Sequence, residues 1–94
     1  FISYCEHNKD MITGLIAGYV NESSIFITNV SVDPDYINQG IGKMLLDECE
    51  VFCKSNNIPT IQLEVKPENV KAIQFYLKNN FNKKDEITYE KKLR

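Results

Sequence analysis

The sequence is poor in what builds metal centres, disulfide scaffolds and membrane spans. It has one histidine, His7, and three cysteines, Cys5, Cys49 and Cys53, with no Cys-x-x-Cys spacing. An odd cysteine count without that spacing argues against a disulfide framework and for a reducing compartment, so a cytoplasmic location is expected. Cys49 and Cys53 fall four apart on an expected helix, distant from His7, so packed thiols and no metal are expected there. No apolar run approaches the roughly 20 residues that cross a bilayer, and the start shows no charged-then-apolar signal pattern. Neither sign of charge dominates. The 11 basic and 13 acidic side chains leave a formal net charge of −2, which gives no bulk attraction to nucleic acid or anionic membrane. Repeats, low-complexity tracts and linkers are absent too. At 94 residues, 43% of them hydrophobic, residues 1–94 are expected to form a single domain with a core near the lower size limit. The chain starts at Phe1 inside an expected strand and without methionine, so an N-terminal piece is expected to be missing.

What is present is regular alternation followed by helical periodicity. Residues 1–6 and 11–20 read as strands joined by a polar turn, His7-Asn8-Lys9-Asp10, and residues 25–32 read as a third strand after Asn21-Glu22-Ser23-Ser24. Such short connections predict an antiparallel meander. Gly14 and Gly18 inside the second strand predict a bulge or a close backbone approach. From Gly40 to about Asn56, Ile41, Met44, Leu45, Cys49, Phe52 and Cys53 have helical spacing, with Asn56-Asn57 as the stop. Residues 58–65 form a strand with Ile61, Leu63 and Val65 on one face. A strand–helix–strand unit of this length predicts a crossover and one parallel pair. After the breaker Lys66-Pro67-Glu68, residues 69–79 read as a second helix, with Asn80 as its cap. Two short strands, about 81–84 and 87–93, complete an α+β fold: a mixed sheet with two main helices. The lysine pairs Lys83-Lys84 and Lys91-Lys92 read as solvated strand faces.

The stretch with chemistry in it joins the third strand to the first helix: Val30-Ser31-Val32-Asp33-Pro34, then Asn38-Gln39-Gly40-Ile41-Gly42-Lys43. A helix start leaves amide donors without partners and carries partial positive charge, and glycines there let a backbone approach a ligand. Together they predict an anion site, most often for phosphate or pyrophosphate. A dinucleotide fingerprint, G-x-G-x-x-G, is the obvious rival, with Glu64 at about the right distance. Leu45 stands where its third glycine belongs, and three antiparallel strands precede the motif, so that reading is set aside.

These two stretches, followed by Asn69-x-x-Ala72-x-x-Phe75-Tyr76-x-x-x-Asn80-Phe81, resemble the GNAT superfamily of acetyl-CoA-dependent N-acetyltransferases. The resemblance covers residues 25–81, more than half the chain. Gln62-Leu63-Glu64-Val65, twelve residues before Tyr76, is similar to the branch of ribosomal-protein and other N-terminal acetyltransferases. It implies a GNAT-like acyl-CoA N-acyltransferase fold lacking its N-terminal strand and helices, and a transferase that binds acetyl-CoA as cosubstrate, without metal. The third and fourth strands would splay apart, the backbone of Val30, Ser31 and Val32 would pair with the pantetheine arm, and the amides of Asn38, Gln39, Gly40, Ile41, Gly42 and Lys43 would hold the pyrophosphate. Asn69 matches the asparagine that hydrogen-bonds the arm and is also a good helix N-cap. One departure is Ile37, where the family usually has Arg or Gln; a polar phosphate contact is lost, and Gln39 supplies no charge, leaving Lys43.

Acetyl transfer needs a neutral amine, donors for the oxyanion and a proton for the departing thiolate. Tyr76 matches the family's general acid near the sulfur, and with an ordinary pKa of about 10 it is protonated at neutral pH; the bland alternative is a packed aromatic. Glu64 matches the glutamate that deprotonates the amine, directly or through water; equally, it orients the backbone or a water. The acceptor stays open among a protein N-terminus, a lysine, a polyamine and an amine antibiotic. A non-catalytic CoA-binding regulatory or interaction module of the same fold is the alternative function. An edge strand at 1–6 could be covered by a second copy, giving a homodimer.

Overall fold

A computed structural model of the chain describes residues 1–6 and 12–93. The expected His7–Asp10 turn and the start of the second strand at Met11 lie outside these residues. Strands β1 (Ile2–Glu6), β2 (Ile12–Val20) and β3 (Ser24–Val32) form the antiparallel meander that the alternation predicts. A short 3-10 turn (Pro34–Tyr36) leads to helix α1 (Ile41–Ser55), then strand β4 (Thr60–Glu64), helix α2 (Val70–Lys78) and strands β5 (Asn82–Lys83) and β6 (Thr88–Lys92). The six strands make one sheet in the order β1-β2-β3-β4-β6-β5, and β3 with β4 is its parallel pair.

Local chemistry explains the element ends. Asn57 and Asn80 take left-handed conformations, with φ of 57° and 71°, just beyond α1 and α2. Asn56 itself, expected to share that role, sits at φ −114° and ends α1 through its backbone N–H, which reaches the carbonyls of Phe52 and Cys53. Between β5 and β6 the Asp85 carboxylate accepts from the amides of Ile87 and Thr88 at 3.2 and 2.9 Å. Those N–H groups hold its carboxyl below the usual range.

Both glycines of β2 behave as expected. The β2–β3 register slips between Ala17 and Gly18, and a Cβ on Gly18 would stand 2.5 Å from the carbonyl oxygen of Phe26. A Cβ on Gly14 would lie 2.6 Å from Cγ2 of Ile41, so this glycine seats α1 on the sheet. The core is one cluster. Leu45, Leu46, Cys49 and Cys53 of α1 bury their side chains with Ile16, Ile25, Ile27, Ile61 and Leu63 of the sheet. Cys49 and Cys53 are free buried thiols, and burial pushes the Cys49 thiol up to about 12, so it remains neutral in the core.

The lysine pairs of the tail differ from expectation at Lys91. Rather than lying on a solvated face, it is partly buried and donates from Nζ to Glu50 of α1 at 3.0 Å, while Lys54 reaches the other carboxylate oxygen at 3.3 Å. These ammonium groups, Lys91 foremost, hold the Glu50 carboxyl below its ordinary 4.5 and tie β6 to α1. A carboxyl with a lowered folded-state pKa stabilises the fold above its unfolded value and ceases to do so as pH falls through the folded one. Urea unfolding of the protein and of Glu50→Gln should therefore show a stability gap that is full above pH 5 and closes on acidification below pH 4.5. A gap independent of pH would exclude the ion pair as its cause.

Candidate cofactor site

The parallel pairing of β3 with β4 runs from Ser24↔Thr60 to Ile27↔Leu63 and stops. Beyond it, β3 continues to Val32 along β2 alone, so one edge of 28–32 has no strand partner among the described residues. The expected splay is thus present. The register also assigns faces: Val30 and Val32 stand opposite Ile16 and Gly14, whose side faces α1, whereas Ser31 stands opposite Leu15 on the other face.

A cavity of about 750 Å³ opens on the helix-bearing side, floored by Val30 and Val32. Its near wall is the loop and the start of α1, with Tyr36, Ile37, Asn38, Gly40, Ile41, Gly42 and Lys43. The loop is shaped by local contacts. Asp33 accepts from the Asp35 amide at 2.9 Å, and Asn38 and Gly40 adopt left-handed φ of 67° and 77°. Met44 N–H returns to the Gly40 carbonyl at 3.0 Å, beginning the intrahelical ladder, and no side chain caps α1. Its first amides therefore have no capping side chain, and the positive end of the helix dipole lies beside the cavity.

The far wall is α2, through Lys71, Ala72, Phe75, Tyr76, Lys78 and Asn79. Tyr76 is partly buried with its ring edge-on to Phe75 and Phe81, at centroid separations of 5.2 and 5.5 Å. Burial pushes its phenol up to about 12, so it is a neutral donor throughout the physiological range.

The two glycines have separate jobs. Gly40 needs its positive φ, and a Cβ there would meet open space. Gly42 lines the cavity as expected, and a Cβ on it would also lie 2.8 Å from Cζ of Phe75, so its bareness lets α2 pack against the start of α1 as well. Asn69 caps α2, its side-chain oxygen accepting from the Ala72 amide at 3.3 Å, and it does not line the cavity. Gln39 and Ser31 do not line it either, which leaves Ser31 its backbone alone for a ligand at the open edge. Glu64 is exposed at the end of β4, opposite Thr88, one residue past the last β3–β4 pair. It faces away from the helices, since Leu63 before it is buried towards them.

Lys71, Lys78, Asn79 and Tyr36 are lining residues that the motifs did not single out. Spacing held a signal for three of them: 71, 75 and 78 share a helix stripe with the motif residue Phe75, and 79 follows 72 and 76 on the adjoining one.

A mixed sheet parted along its parallel pair, with uncapped helix amides beside the opening, defines an acyl-CoA N-acyltransferase fold. The model of the acetyltransferase (GNAT) family matches residues 1–81. The chain belongs to this family. It is 36% identical over 63 residues to the ribosomal protein bS18-alanine N-acetyltransferase of Escherichia coli K12, a match that covers 67% of this chain and 41% of that protein. An acetyltransferase of the GNAT family from Staphylococcus aureus Mu50 superposes with a TM-score of 0.87 at 27% identity, covering 99% of this chain and 67% of its own. The PaiA N-acetyltransferase of Thermoplasma acidophilum, solved with coenzyme A, gives 0.81 at 27% identity over 92% of this chain and 57% of its own. The chain thus spans about two fifths of the curated relative's length.

The Gly42–Phe75 contact is testable by a double-mutant cycle. Gly42→Ala should cost about 1–3 kcal/mol as an overpacking change, and in a Phe75→Ala background it should cost only a few tenths. Equal costs in both backgrounds, measured by urea denaturation, would mean the two residues are not in contact.

Proposed function

We propose that this protein transfers an acetyl group from acetyl-CoA to a primary amine. The observation that carries the reading is the coincidence of three features: an unpaired β3 edge, uncapped α1 amides and Tyr76, all bordering one cavity. The first suits the amide-bearing pantetheine arm as a surrogate strand, the second the pyrophosphate, and the third the sulfur. The family, and the relative solved with coenzyme A, support the cosubstrate. The relative that acetylates a ribosomal-protein alanine supports a protein amine among the acceptors.

In the reaction the amine nitrogen attacks the thioester carbonyl, the C–N bond forms, the C–S bond breaks, and the nitrogen's proton must leave while the sulfur gains one. Glu64 stands where the strands part and faces the side of the sheet opposite the cofactor cavity, so an amine entering from that side meets a carboxylate that takes its proton directly or through water. Tyr76 works on the other side. A phenol at about 12 is a much weaker acid than an ordinary thiol near 8.5. Its role is to hydrogen-bond the departing sulfur and pass it a proton as the C–S bond breaks, rather than standing ionisation. The phenol then recovers a proton from solvent, while Glu64 releases to solvent the one it took from the amine.

Calorimetric titration with acetyl-CoA, CoA and NAD, followed by turnover against a panel of amines and N-terminal peptides, tests this. Micromolar binding of the two coenzyme A forms with none of NAD, and measurable acetylation, are expected. Binding without turnover of any amine would favour the regulatory or interaction module. Tyr76→Phe should lower kcat by about 10- to 100-fold, in line with the loss of one positioned proton donor, while CoA affinity stays within about twofold. Undiminished kcat would remove Tyr76 from the chemistry, and Glu64→Gln tests the base in the same assay.

A further inference from the structure

The charged side chains lining the cavity are Lys43, Lys71 and Lys78, with no carboxylate among them, in a chain whose net charge is −2. Lys43 is not fully available, because its Nζ lies 2.9 Å from Asp47 one turn further along α1. Lys71 and Lys78 form no ion pair among the described residues. They are seven residues apart on α2, two turns and about 10 Å along one stripe. Phe75 lies between them on that stripe, and its ring is lodged against Gly42. This contact fixes the rotation of α2 about its axis and so turns both lysines to the cavity. On the opposite wall Ile37 is 56% exposed and contributes no charge or hydrogen bond from its side chain.

We propose that Lys71 and Lys78 recognise the phosphates of the nucleotide half of coenzyme A and make the site selective for the 3′-phosphorylated cofactor over dephospho-coenzyme A. The proposal rests on the acetyl-CoA reading above. Coenzyme A carries negative charge at two separated places, the pyrophosphate and the ribose 3′-phosphate. Two ammonium groups two helical turns apart suit two such centres, and each acts as a point charge with rotatable donors. The α1 amides bind the pyrophosphate without sensing the 3′ position. Discrimination at that position therefore falls to α2, and so does the charge that Ile37 does not supply.

Titration of CoA and dephospho-CoA into the protein, at low and moderate salt, tests this together with Lys71→Gln/Lys78→Gln, Lys71→Arg/Lys78→Arg and the remote exposed Lys92→Gln. The unmodified protein should prefer CoA by about tenfold or more, the size expected of a charge-assisted contact. The glutamine pair should lose that preference and much of the salt dependence; the arginine pair and Lys92→Gln should keep both. Equal affinity of the unmodified protein for the two forms, or full preference in the glutamine pair, would overturn the proposal while leaving the acetyl-CoA reading standing. Failure of the unmodified protein to bind either form would overturn that reading itself.

Discussion

The structure depends on where the hydrogen bonding between β3 and β4 stops. Four pairs, from Ser24↔Thr60 to Ile27↔Leu63, hold the centre of the sheet together. Past Leu63 the pairing with β3 ends, while the other edge of β4, paired with β6 along its whole length, carries on to Val65, whose N–H reaches the Ile87 carbonyl at 2.8 Å. An unpaired strand edge is ordinarily a hazard, because its N–H and C=O groups invite another chain. Here the gap lies inside the sheet, roofed by two helices, so what enters must be narrow and able to pair. A pantetheine arm meets both conditions.

The helices make the gap usable because they are seated against each other and against the sheet by missing side chains. Gly14 lets Ile41 of α1 onto β2, and Gly42 lets Phe75 of α2 onto α1. Both contacts are at the cavity end of the molecule. One sets the depth of the α1 amides, the other the rotation of α2, and with it the direction of Tyr76, Lys71 and Lys78. The Glu50–Lys91 pair fastens the opposite end of α1 to β6. The site is positioned by packing on one side and by an ion pair on the other.

Much of this was legible in the sequence. The strand alternation, the two helical periods and the asparagine stops at 56–57 and 80 are local properties, and they placed the described strands and both α-helices within a few residues, leaving the 3-10 turn at Pro34–Tyr36 read as loop. The loop between β3 and α1 was legible for the same reason, since Asp33-Pro34 and the two glycines mark a break and a helix start. The packing role of Gly42 was not, since a glycine that borders a cavity and one that also admits a ring look alike until the ring is placed. Lys91 looked solvated because its acidic partner is 41 residues away. Asn69 carried two meanings in its motif, and only geometry shows its oxygen spent on the α2 cap.

The sequence by itself determined the order and kind of the elements, the crossover between β3 and β4, and the family, because these follow from short-range patterns and motif spacing. The tertiary structure decided which face each motif residue serves. Alternation by two tells which residues share a face but not which face is covered; that depends on α1 and α2 docking over Ile25, Ile27 and Leu63. Docking put Tyr76 inside the cavity, left Glu64 on the far side of the sheet, and brought the lysines of α2 to the loop of α1, a meeting of residues about thirty positions apart that no local pattern encodes.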